Sequence, residues 1–419
     1  MKKKILTLSD HPLSPSGVGT QTKYVIEALL KTGNYQVISL GGAIKHQNYQ
    51  PVKTEQWGDD WIVHPVDGYG TQDLVRSIIR TEKIDAVWIM TDPRFWGWLW
   101  EIDDEVRGVC PIIYYHVWDN YPYPTYNRKH YLSNDVVATI SKVTDDIVRT
   151  VAPEVECHYI PHAVSEEIFK PLDEDEIKEY KNRILGPGGH QDKFVFFWNN
   201  RNARRKQSGS LLFWYKDLLD RVGYDKTCLI MHTDVKDPHG QDLEHIIREL
   251  GINNGQVIFS TQKIPPQDMS MLYNVADCTI NVSDAEGFGL ATLESLSCAT
   301  PIIATMTGGL QEQVKSGDVE FGVALEPASR AIIGSQEIPW IYEDRLNGKD
   351  VTDAMQKMLE MDPEERKELG MLGKAHVEKN YSFDSFEKKW VGLMETTLKK
   401  HGSWADRKGR VNWTLKEIS

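Results

Sequence analysis

Apolar residues along this chain fall into short runs separated by amphipathic stretches, and that alternation predicts most of the architecture. Ile5–Ser9 reads as a first buried parallel strand, and similar runs follow at Gln36–Leu40, Ala86–Met90, Cys110–Tyr115 and Val136–Ile140. A second set begins at Phe194–Trp198 and continues with Cys228–His232, Val257–Phe259, Cys278–Val282 and Pro301–Ala304. Helical spacing fills the gaps, as at Val25, Ala28 and Leu29. A last strong helix is predicted over Phe383–Lys400, with Phe386, Trp390, Leu393 and Met394 near one face. Alternating strands and helices predict doubly wound α/β sheets whose ligands sit beyond the strand C-termini. A chain of 419 residues exceeds what one core normally holds, so two such domains are expected.

Composition narrows the class. The chain is 40% hydrophobic and 26% charged, which fits a globular protein. Its formal net charge of −13 weighs against a broad face for a nucleic-acid backbone and leaves room for small, local anion sites. Five cysteines, at 110, 157, 228, 278 and 298, show no paired spacing and read as reduced core thiols. MKKKILTLSD is too short in apolar residues for a signal segment, and no apolar run reaches spanning length. A cytoplasmic location is therefore expected, with peripheral membrane attachment left open. The charged segment Asp173–Asp192 is the candidate boundary. It divides the chain into an N-terminal domain (1–172), a C-terminal domain (173–382) and a closing helix with its tail (383–419). Pro327–Asp344 reads as a long loop.

Candidate chemistry concentrates at strand ends. In NVSDAEGFGLATLESLSCATPIIATMTGG, Asn281 to Gly309, the residues Glu286, Gly287, Phe288 and Gly289 stand where a helix begins. Unpaired amides and the positive end of the helix dipole attract an anion there, and glycine lets backbone approach a phosphate closely. Glu294 lies eight residues after Glu286, inside the helix, so two carboxylates flank the site as acceptors for sugar or ribose hydroxyls. Arg201, Arg204, Arg205 and Lys206 gather just after the strand Phe194–Trp198, suited to neutralising phosphate. The first loop, Ser16-Gly17-Val18-Gly19, offers a second glycine-bearing helix start, but Thr22 replaces the third glycine of the dinucleotide fingerprint. His116 closes a strand and precedes a Pro-rich loop holding Trp118, Asp119 and Asn120. Phe95, Trp96, Trp98 and Trp100 crowd a short helix near Pro93, read as core in preference to an aromatic acceptor surface. His158 and His162 are separated by Pro161, which denies them one helical face, so no metal site is expected.

The EGFG loop, the second glutamate, the small-residue helix, the Pro-led strand and the closing Gly308-Gly309 together resemble the E-x7-E signature of retaining glycosyltransferases of family GT4. Two departures stand out. Ala299 and Gln207 occupy places where that family often has glycine. The resemblance implies a GT-B fold, with two Rossmann-like domains facing a central cleft. It implies transfer of a sugar from a nucleotide-diphosphate sugar to a hydroxyl acceptor with retention, needing no metal and no cofactor beyond the co-substrate. By the same resemblance Arg201 and Lys206 hold the diphosphate, Arg205 shares the lysine's role, and Gly17, Val18 and Gly19 lie near it. Glu286 grips the donor sugar while Gly287, Phe288, Gly289 and Leu290 present backbone. Glu294 takes the ribose, Thr233 and Phe259 border the base, and His116 touches the transferred sugar. Trp118, Asp119 and Asn120 are candidate acceptor contacts. Two other readings remain at this point, a sugar-nucleotide binding module without turnover and a transferase acting on a hydroxylated nucleobase. The second would use the aromatic and basic patch from Trp118 to Tyr131. Neither the nucleotide nor the acceptor is legible.

Overall fold

The first apolar run, in a computed structural model that describes residues 2–408, is β1 (Lys3–Asp10), with its five central residues buried. It is joined by β2 (Tyr35–Gly42), β3 (Val52–Lys53), β4 (Trp61–Pro65), β5 (Ala86–Thr91), β6 (Ile112–His116), β7 (Val136–Thr139) and β8 (Glu156–Tyr159). The order across the sheet is β3-β4-β2-β1-β5-β6-β7-β8, parallel throughout except for the short β3 against β4. Strands this uniformly apolar need cover on both faces. Part of that cover comes from the far end of the chain. The helix Phe383–His401 buries Phe386, Trp390, Leu393 and Met394, and Trp390 meets Trp88 and Tyr115 edge-on at 5.7 and 4.7 Å between ring centroids. Arg407 then pairs with the buried Asp135 at 2.9 Å. One unit is accordingly built, among the described residues, from those up to His162 together with 384–408.

The second unit, Ala163–Phe383, repeats the plan. Its strands are β9 (Phe194–Asn199), β10 (Thr227–His232), β11 (Val257–Ser260), β12 (Cys278–Asn281) and β13 (Ile302–Thr305). A two-residue pair follows, β14 (Lys315–Ser316) and β15 (Val319–Glu320), before β16 (Gly322–Leu325) completes the sheet. The sheet runs β11-β10-β9-β12-β13-β16, all parallel, over a core that includes Phe196, Trp198, Leu229, Ile280 and Met355. Each unit is the doubly wound parallel α/β sheet expected. All five cysteines are free and buried.

Two expectations are corrected. The chain passes from one unit to the other at 162/163, not 172/173, because Phe169 is buried against Tyr273 and its carbonyl accepts from the Ser297 hydroxyl at 2.6 Å. The charged segment taken for the boundary is mostly the helix Glu174–Leu185, capped by Asp173, whose solvated face has a linker's composition. The long loop at 327–344 contains an antiparallel hairpin, β17 (Ser329–Ile333) with β18 (Ile341–Arg345). Of the expected closing segment, residues 409–419 lie outside the described residues.

Candidate active site

The second unit gathers its charged side chains at the C-terminal ends of β9 and β12. After β12 the chain turns through Glu286–Gly289 into the helix Leu290–Ser297, which no side chain caps. Gly289 takes a left-handed φ of 95°, and a Cβ there would come within 2.5 Å of Leu310 Cδ2. Gly309 is needed for a second reason, since a Cβ on it would meet Phe288 Cα at 2.6 Å and Gly287 O at 2.7 Å. The glycines thus let two loops touch while the helix start stays open, and uncapped amides with the dipole behind them favour an anion.

The basic loop after β9 is stitched to this turn. Residues Arg204–Lys206 form one 3₁₀ turn, followed by Gln207 in the left-handed region at φ 56°. Asp284 N donates to Arg205 O at 2.8 Å, and Arg205 Nη1 donates to Ala285 O at 2.6 Å. Lys206 forms an ion pair with Glu286, their side chains 8% and 13% exposed. Burial pushes the Glu286 pKa up, but the charges of Lys206 and Arg205 outweigh it and hold the carboxyl below its ordinary value. Glu286 therefore stays a carboxylate. Glu294 has no such help: burial dominates and raises it to about 7, opposed only by the Tyr273 hydroxyl, which donates at 2.7 Å. Asn199 Nδ2 in turn donates to Tyr273 at 2.8 Å. Thr233, just past β10, is buried with its hydroxyl unpartnered, and Phe259 lies in the neighbouring β11.

Of the expected cations, Lys206 and Arg205 meet the glycine turn, whereas Arg201 is exposed and bound to Asp237 at 2.6 and 3.1 Å. Sequence reasoning missed Asp284, Glu343 and Arg345. Asp284 ion-pairs with Arg345, which also reaches Glu343 at 2.8 Å, and Glu343 holds both terminal nitrogens of Arg204 at 2.5 and 2.8 Å. The available signal was two short runs of isoleucine and aromatic residues, AII and IPWIY, around a Gly-Ser turn.

In the first unit the Gly17–Gly19 loop begins the helix Gly17–Lys31, and Ser16 Oγ caps it by accepting from Gly19 N at 2.9 Å. Ser16 also donates to Asp10 at 2.8 Å. His116 is fully buried, with Tyr114 and Tyr131 hydroxyls on its two ring nitrogens at 2.9 and 3.0 Å. Burial lowers its pKa to about 3, so the ring is neutral. A sugar contact through it requires one tyrosine to give way. Trp118 and Asn120 are buried, and Trp118 Nε1 donates to the Asn120 carbonyl at 2.8 Å, so Asp119 is the partly exposed member of the three. Trp96 and Trp100 are core residues, while Phe95 is exposed. His162 is buried against the Tyr115 hydroxyl, and His158 reaches Glu156. Among the described residues no group of three His, Cys, Asp or Glu side chains is placed to hold a metal.

The family model described as "Glycosyl transferases group 1" matches residues 162–374, just over half of the chain. Relatives include "D-inositol 3-phosphate glycosyltransferase 1" of Catenulispora acidiphila, 28% identical over 190 residues covering 43% of each chain. Another is "Alpha-monoglucosyldiacylglycerol synthase" of Streptococcus pneumoniae, 29% identical over 172 residues, 41% of this chain and 37% of that one. The chain thus spans less than half the length of these curated relatives. Among solved structures, sucrose-phosphate synthase from Thermosynechococcus elongatus superposes with a TM-score of 0.74 at 16% identity, over 95% of this chain and 100% of that one. Anabaena Alr3699/HepE in complex with UDP-glucose gives 0.68 at 16% identity, over 94% and 99%. The fold is GT-B, with two Rossmann-like domains, and the chain belongs to the glycosyl transferases group 1.

Proposed function

We propose that the second unit binds a nucleotide-diphosphate sugar and that the protein transfers the sugar to a hydroxyl acceptor with retention of configuration and without a metal ion. The observation that carries this is the Lys206–Glu286 pair set at the uncapped start of the helix Leu290–Ser297, with Arg205 beside it. The pyrophosphate sits on the helix amides, where Lys206 and Arg205 oppose the charge that builds on it as the sugar leaves. Each such positioned group is worth about 2–4 kcal/mol of transition-state stabilisation. Glu286, ionised, accepts the sugar's hydroxyls, and Glu294 accepts those of the ribose. In the transfer, the bond from the anomeric carbon to the phosphate oxygen breaks and a bond to the acceptor oxygen forms on the same face. The acceptor's proton passes to the departing phosphate. Family membership supports the donor class, and UDP-glucose, with which the Anabaena protein forms its complex, is the first compound to try.

The experiment is a thermal-shift screen of UDP- and GDP-sugars, in which a true donor at 100 times its dissociation constant stabilises by about 2.7 kcal/mol. Transfer from that donor, with and without EDTA, is then followed by NMR of the product anomer. No stabilisation by any nucleotide sugar would sink the reading. Binding without turnover would leave a sugar-nucleotide binding module, inversion would remove retention, and loss of transfer in EDTA would remove metal independence.

A further inference from the structure

The hairpin β17–β18 is attached to the second unit in an unusual way. None of the five residues of β17 is buried, and Ile332 is 58% exposed. In β18 only Glu343 and Asp344 are buried. A hairpin whose buried residues are two carboxylates adds little to a hydrophobic core, and buried charges persist only when paired. Asp344 is paired within the hairpin, with Arg330 of β17 at 2.9 Å, but Glu343 is paired with a loop of the candidate site. Glu343 takes the guanidinium of Arg204, which shares one 3₁₀ turn with Lys206. Arg345 bridges Glu343 and Asp284, two residues before Glu286, and Asp344 N donates to the Asp284 carbonyl at 2.9 Å. Gln207 Nε2 completes the hold on Asp284 at 2.5 Å.

We infer that β18 is a clamp that sets the spacing of the phosphate site. Through Arg204–Glu343–Arg345–Asp284 it ties the basic loop to the acidic loop, and the Lys206–Glu286 pair closes the ring on the ligand side. Glu343 and Arg345 are positioning residues that never touch the donor. This rests on the donor-site reading above and adds how that site holds its shape.

The test measures binding of UDP and GDP to the full chain, with uridine and guanosine as phosphate-free controls. In Glu343→Gln and in Arg204→Gln the dissociation constant of whichever diphosphate binds rises about tenfold, while the matching nucleoside binds as before. Ile332→Ser, at the exposed side of the hairpin, changes neither. A wild-type chain that binds neither diphosphate overturns the donor-site reading and the clamp together. A wild-type chain that binds one, with both variants binding it equally well, overturns the clamp alone, as does an equal loss for diphosphate and nucleoside. Should Glu343→Gln fail to fold, Arg204→Gln decides, because its side chain is 62% exposed and its removal opens no core.

Discussion

The glycine loop after β1 and the glycine loop after β12 each lead from a parallel strand into a helix, yet they spend their helix starts differently. In the first unit Ser16 caps the helix from its own side chain and leans on the Asp10 carboxylate, so the Gly19 amide is satisfied from within the loop and a carboxylate stands beside it. In the second, Gly289 stands where a capping side chain would be, and the nearest charges include Arg205 and Lys206. Glycine spacing says only that backbone can come close. What distinguishes an anion site is an uncapped helix end with cations beside it.

The largest expected effect tests that distinction directly. Lys206→Ala lowers kcat/KM for transfer by about 10²–10³, the loss of one preorganised charge at the leaving group. Ser16→Ala leaves the donor's dissociation constant unchanged. Steady-state kinetics and donor titration on both variants check this pair, and an equal loss of donor binding in both would erase the contrast between the loops.

A second, tenfold effect comes from pH. Glu294 titrates near 7 in the folded chain against 4.5 ordinarily. Between those values the folded state keeps a proton that the unfolded state has released. The contribution of this group to stability is therefore present at pH 4.5 and lost as pH rises through 7. Ribose hydroxyls need the carboxylate, so donor affinity runs the other way and falls about tenfold from pH 8 to pH 6 as the ionised fraction drops. Glu294→Gln flattens the affinity profile and raises the melting temperature of the unliganded protein at pH 8. An affinity that stays level from pH 8 to pH 6 in the wild type would remove Glu294 from the ribose.

Smaller still is the cap itself. Ser16→Ala costs about 1 kcal/mol of stability, read by chemical denaturation of the unliganded protein, because Gly19 N loses its acceptor. A loss well under that value would mean that water serves this helix start as well as Ser16 does.

The sheets were legible because strands buried on both faces are apolar without interruption, as at IIYYH in β6. Placing Lys206 and Glu286, 80 positions apart, at one donor site rested on the family signature, since no local pattern links them, and their ion pair was not legible. The clamp was not legible for the opposite reason. SRAII and IYEDR mix charged with apolar residues, and the partner that explains Glu343 is 139 positions away. His116 was visible as a strand-end histidine, but not the two tyrosines that occupy its ring. The boundary was misplaced because a solvated helix and a linker share a composition.

The two places where the second unit carries a side chain in place of the family's glycine give the smallest prediction. Ala299 and Gln207 both adopt left-handed backbone, at φ 58° and 56°. That conformation costs an L-residue about 1–2 kcal/mol. Gln207 offsets the cost with its bond to Asp284, in the loop that holds Glu286. Ala299 has only a methyl group and offsets nothing. Replacing it by glycine removes the strain but returns about 0.4–1 kcal/mol of unfolded-chain entropy. Ala299→Gly is therefore expected to stabilise the protein by about 0.5–1 kcal/mol in denaturant unfolding, with donor affinity unchanged. Gln207→Gly gains the same relief and loses the Asp284 contact, so it weakens donor binding. A loss of donor affinity in Gln207→Gly but not in Ala299→Gly assigns the retained side chain to the anion site; unchanged affinity in both would mean that the side chain of Gln207 does nothing for that loop.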